Sequence, residues 1–110
     1  MDDSRGLFPG ALEMMILETL RRGPLHGYAI AQSIKQSSQD LLRVEEGSLY
    51  PALQRMLKAK WVRAEWAISE TNRRVREYRL TAAGRKQLER EVSHFERMFA
   101  GIRKVMRAES

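Results

Sequence analysis

Between positions 48 and 58 the chain carries Ser48, Tyr50, Gln54, Arg55 and Lys58 with no carboxylate among them. Two hydroxyls, a carboxamide and two cations are groups that bind nucleic acid: Arg or Lys pairs with guanine, Gln with adenine, and Ser or Tyr with phosphate oxygens. Asn72, Arg73, Arg74 and Arg76 form a second cluster, with Glu77 the one acid before Arg79. Guanidinium groups this close need a compensating anion, and phosphate accepts their paired N–H donors while releasing its condensed counterions. A plainer account stands beside each cluster. The first also fits an ordinary solvated helix face with Tyr50 turned into the core, and the second a charged strand edge that blocks pairing with other chains.

Catalytic chemistry lacks its parts. His26 and His94, the two histidines, fall in separate segments, and no Ser/His/Asp spacing, phosphate-cradling glycine loop or metal-ligand cluster accompanies them. His26 reads as a helix cap able to reach phosphate, and His94 as a surface helix residue. The absence of cysteine excludes disulfides, thiolate metal sites and cysteine nucleophiles. No enzyme activity, cofactor or metal is expected. With 110 residues and 43% hydrophobic composition, one compact core and one appendage are the ceiling. A net charge of +6 favours a polyanionic partner, nucleic acid or anionic membrane. No stretch reaches the roughly 18 apolar residues of a membrane span, and the opening MDDSRGLF lacks a basic region followed by an apolar signal core. A cytoplasmic location away from membranes is expected.

The elements that must position these residues follow from periodicity. Pro9-Gly10 opens a helix with Leu12, Met15, Ile16, Thr19 and Leu20 on one stripe, and Gly23-Pro24 stops it. A second helix, about His26 to Ser37, carries Ile30, Ala31 and Ile34 inward. A third runs from near Gly47-Ser48 to about Ala59 over Leu49, Leu53, Met56 and Leu57, with Pro51 tolerated in its first turn and Glu45 and Glu46 favoured at its N-terminus. The period then changes to two. Val62, Ala64, Trp66 and Ile68 face one way, Ser69 to Arg73 supply a turn, and Arg76, Tyr78 and Leu80 alternate again, giving an antiparallel hairpin.

Thr81 can cap a last helix reaching about Met106, in which Leu88, Val92, Phe95, Phe99, Ile102 and Met106 follow heptad spacing. A helix of about 39 Å at 1.5 Å per residue cannot bury that seam against a small domain beside its start, so a second copy of the chain is the expected partner. Met98 and Val105 widen the stripe toward the partner's first helix, and Gly84 reads as a close-packing position rather than a phosphate contact. The expected fold is mainly α with a small β-hairpin. Residues 1–80 form a winged helix-turn-helix whose third helix enters the major groove, and residues 81–110 form a long C-terminal dimerisation helix.

Three segments, LEMMILETLRRGPLHGYAIAQSI, RVEEGSLYPALQRM and NRRVREYRLTAAGRKQL, resemble the PadR family of transcriptional regulators, in its short C-terminal form. The resemblance spans nearly the whole chain and rests on Gly23 to Tyr28, Glu46 to Leu53 and Tyr78 to Gly84 in that order. It implies a homodimeric repressor at an inverted-repeat operator, released when a small molecule binds. By matched position it implies groove contact by Ser48, Tyr50 and Pro51, backbone contact by His26, Gly27 and Tyr28, and wing contact by Arg73 and Arg74. Two other functions share the fold: a winged helix that binds protein or RNA, and a small-molecule sensor. A hydrophobic effector could meet Trp61, Trp66, Phe95, Met98 and Phe99 at the dimer interface, although such stripes also serve as plain core.

Overall fold

The computed structural model describes residues 10–108; Pro9 and the N-terminal residues read for a targeting signal lie outside the described residues. Helix α1 (Ala11–Arg21) starts behind Gly10, whose φ of 85° suits glycine, and buries Leu12, Ile16, Leu17 and Leu20. Gly23 and Pro24 end it, and Leu25–His26 then form β1, a two-residue strand. Helix α2 (Gly27–Ser37) contributes Ile30 and Ile34 to the core, and α3 (Glu46–Lys58) contributes Leu49, Ala52, Leu53 and Met56. These residues pack with Val62 and Tyr78 of the sheet and Leu88 of the last helix into one cluster.

Helix α3 begins earlier than its apolar stripe suggests, so Pro51 is not in the first turn. Its missing N–H leaves the Gly47 carbonyl without a helical donor, and because Gly47 and Pro51 are both exposed, water can satisfy that carbonyl.

Strands β2 (Val62–Ile68) and β3 (Arg74–Leu80) form the expected hairpin, but β1 adds an edge strand, giving an antiparallel sheet in the order β1-β3-β2. Leu25 lies opposite Tyr78 and His26 opposite Glu77. Within the hairpin Val62 pairs with Leu80, Ala64 with Tyr78, Trp66 with Arg76 and Ile68 with Arg74. Alternation places these residues on one face, yet only its base is covered. Trp66 is 59% and Ile68 63% exposed, because the hairpin outruns the helices beneath it. The tip turns through Asn72 at φ 61°, with the Ser69 Oγ accepting from the Arg73 N–H at 3.2 Å.

Helix α4 (Ala82–Arg107) is joined to β3 by Thr81 alone. The Thr81 Oγ1 accepts from the Gly84 N–H at 3.0 Å, as expected of the cap, and the same hydroxyl donates to the Lys60 carbonyl at 2.7 Å. A Cβ on Gly84 would collide with the Trp61 carbonyl oxygen, so the close-packing role read from the sequence holds. Heptad spacing assigned Leu88 to a subunit seam; it is instead 6% exposed, in the core of its own chain. Phe95 and Met98 flank the start of α1, so part of the stripe's extra width serves the chain's own first helix. Val92, Phe99, Ile102, Val105 and Met106 are exposed.

Candidate nucleic-acid interface

The buried stripe of α3 fixes which of its side chains turn outward. Tyr50, Pro51, Gln54 and Lys58 occupy the exposed side, and Ser48 is half-buried at its flank. Tyr50 leans over the start of α2, where a Cβ on Gly27 would come within 2.7 Å of its Oη. Gly27 therefore acts through Tyr50: the missing side chain lets the ring cross from the third helix to the second.

His26 is the N-cap of α2, as its sequence position suggests. Its Nδ1 accepts from the Ala29 N–H at 3.3 Å, so in the neutral ring the proton sits on Nε2 and is available as a donor. The ring lies nearly parallel to that of exposed Tyr28, with centroids 6.5 Å apart. Strand β1 holds His26 beside β3, which two residues were too short to signal through alternation.

Between α2 and the wing lies an open concavity of about 1090 Å³. His26, Tyr28, Gln32 and Ser33 line the α2 side, Ile68, Arg73 and Arg76 the wing side together with the carboxylates Glu70 and Glu77, and Tyr50 and Tyr78 also border it. Burial raises the Tyr78 phenol pKa, with Arg76 opposing, so that hydroxyl stays protonated at neutral pH. Arg73, Arg74, Arg76 and Lys58 have no carboxylate partner among the described residues, whose ion pairs involve Arg21, Arg22, Lys35, Arg55 and Arg79.

Arg55 differs from the other cations. Its Nη2 and Nε donate to Glu13 Oε2 on α1 at 2.9 and 3.3 Å. Helix α3 has no acid near Arg55 in sequence, but the fold supplies one from 42 positions away. The guanidinium is thus engaged beside α1, on the flank away from Tyr50. Trp61 and Trp66 do not gather with Phe95 and Phe99 either: Trp61 packs against the core, and Trp66 lies under Arg74 and Arg76. No group of His, Asp or Glu among the described residues has metal-binding geometry.

Residues 16–90 match the Transcriptional regulator PadR-like family. A transcriptional regulator from Clostridium thermocellum is 28% identical, with a TM-score of 0.80 over 87% of this chain and 93% of that one. A PadR-like transcriptional regulator from Bacillus cereus is 25% identical, with a TM-score of 0.76 over 92% and 96%. An uncharacterized 37.1 kDa protein in a transposon of Streptomyces fradiae is 43% identical over 86 residues, 78% of this chain, which spans only 23% of that protein. The family match begins within α1, takes in α2, α3 and the whole wing, and ends inside α4. The chain belongs to the PadR-like family of transcriptional regulators, which are regulators and not enzymes.

Proposed function

We propose that this regulator is a homodimeric repressor that binds an inverted-repeat DNA operator, with residues 1–80 reading DNA and residues 81–110 joining two copies. The observation that carries DNA contact is the concavity between α2 and the wing, where donors from His26, Tyr50 and Tyr78 share a border with Arg73 and Arg76, neither of them ion-paired among the described residues although Glu70 and Glu77 also line the space. A phosphodiester strand meets both needs at once. Tyr50, Pro51, Gln54 and Lys58 face the bases from α3, Ser48 serves at the flank, and His26, Gly27, Tyr28, Asn72, Arg73 and Arg74 hold the backbone. Arg55 joins them only by giving up Glu13.

Val92, Phe99, Ile102 and Met106 support the dimer, because an apolar stripe on an otherwise charged helix calls for a partner of the same kind. Phe95 extends that stripe, whereas Leu88 is already buried within its own chain. Room for a hydrophobic effector would have to come from the second copy, since the space beside Phe95 and Met98 in one chain is about 10 Å³, roughly one water. The test is selection from a random duplex library, followed by binding to the recovered site, its single strands and the matching RNA. Recovery of an inverted repeat bound far more tightly as duplex supports the proposal; equal binding to RNA or single strands refutes it.

A further inference from the structure

Trp66 is a large apolar side chain that the core does not use. It projects from β2 past the last buried pair of the hairpin and lies on the same face as Arg74 and Arg76. The Arg74 guanidinium sits 4.5 Å from its ring centroid and that of Arg76 5.6 Å, so one indole carries two cations. We propose that Trp66 is a positioning residue for DNA-backbone binding: it holds Arg74 and Arg76 side by side on the wing face that meets the duplex. The proposal rests on the DNA-binding function above and adds to it the face, a third wing arginine, Arg76, and the residue that orders it beside Arg74.

The two faces of the hairpin differ in charge. The opposite face pairs Arg63 with Arg79 and Glu65 with Glu77, and Arg79 lies 3.8 Å from Glu65, so two cations are balanced by two acids. The Trp66 face carries Ile68, Arg74 and Arg76 beyond its buried base and no carboxylate. The net positive charge of the paired strands therefore lies on the Trp66 face. Of the stack, Arg76 borders the same concavity as Tyr50 and His26, with Ile68 beside it, while Trp66 and Arg74 lie outside its lining, so the stack sits at the rim of that space and reaches it through Arg76.

An arginine free in solvent loses rotamer freedom when it grips a phosphate. An arginine already resting on an aromatic ring has lost part of that freedom before binding, and the ring attracts the cation without neutralising it. A carboxylate would order the arginines equally well but cancel the charge that phosphate needs. Trp66 supplies order and leaves the charge intact.

The experiment uses the full chain and a non-operator DNA duplex across a salt series. Trp66→Ala is expected to weaken binding on the order of fivefold with an unchanged salt slope, because the arginines still reach phosphate but arrive disordered. Trp66→Leu, which keeps apolar bulk in the strand, should behave like Trp66→Ala, whereas Trp66→Phe should recover most of the loss. In an Arg74→Ala/Arg76→Ala background, Trp66→Ala should have no further effect. Without DNA, NMR relaxation of the arginine Nε–H groups should show both side chains more mobile in Trp66→Ala. Unchanged arginine mobility, or Trp66→Leu binding as well as wild type, overturns the proposal. So does an equal loss in the arginine-free background, which would mean that the indole touches DNA itself, or competition by polyglutamate as strong as by duplex. A wild-type chain that binds no duplex defeats the DNA-binding function instead, and the mobility measurement then separates that failure from failure of the stack.

Discussion

The wing and the distal half of α4 both leave large apolar side chains in water, but in different company. On the wing, Trp66 lies beneath two guanidiniums. On α4, Ile102, Val105 and Met106 form a bare stripe, with Arg103 lying 4.5 Å over the Phe99 ring beside it. An aromatic ring beneath cations remains hydrated and presents charge outward, whereas an uncovered stripe gains free energy only when another apolar surface closes on it. The first suits a polyanion and the second another copy of the helix.

The largest effect is expected where the two regions join. Gly84→Ala would drive a methyl group into the Trp61 carbonyl, a backbone group that cannot swing aside, and into the tip of the Leu80 side chain, and should lower stability by about 3 kcal/mol or more, read as a fall in thermal midpoint. A near-unchanged midpoint would mean that α4 starts elsewhere.

Next in size is the seam. Val92→Glu/Ile102→Glu is preferred to a change at Phe99, where Arg103 would partly neutralise an introduced carboxylate. The variant should sediment as a folded monomer and lose operator affinity by about 100-fold or more, since one half-site remains in contact. Persistence of the dimer would remove the contrast between the two regions.

The wing should respond in a different variable. Arg73→Ala/Arg74→Ala should leave the sedimentation behaviour intact but lower the slope of log affinity against log salt by about 0.9 per lost phosphate contact in each subunit. An unchanged slope would place the hairpin away from the phosphates.

A smaller effect is expected from Gly27→Ala. The added methyl meets the far end of the Tyr50 ring, which can swing aside, so the fold should survive while DNA affinity falls by about 3- to 10-fold. If Tyr50→Ala abolishes any further effect of Gly27→Ala, the two act as one unit. The smallest change concerns Glu13→Gln. Breaking an exposed pair should alter stability by about 1 kcal/mol or less, and the sign of the DNA-affinity change reports whether the released Arg55 turns to the duplex.

Much of this arrangement is legible in the chain. Apolar spacing gave the helices and the hairpin, and the polar residues at their starts, the Thr81 hydroxyl and the His26 ring, marked two caps, because those signals are local. Four features were hidden for separate reasons. Strand β1 is too short to show alternation. The partner of Arg55 lies 42 positions away, and only tertiary packing brings it near. Heptad spacing runs unchanged from Leu88, which meets its own chain, into Ile102, which does not, so periodicity alone cannot mark where the body ends. Alternation likewise assigns Trp66 to a face without telling whether anything lies opposite it.

Thr81 is the single residue between β3 and α4, and its hydroxyl and backbone N–H tie it to carbonyls just beyond the end of α3. With this joint tied on both sides of one residue, α4 would act as a lever on the body, and a rotation at its far end would reach the wing through Thr81. Two such levers clasped together would hold their reading heads like fixed calipers. An operator with half a helical turn inserted between its half-sites, about 5 base pairs, would then present its second half on the wrong side of the duplex, out of reach of a jaw that cannot swivel.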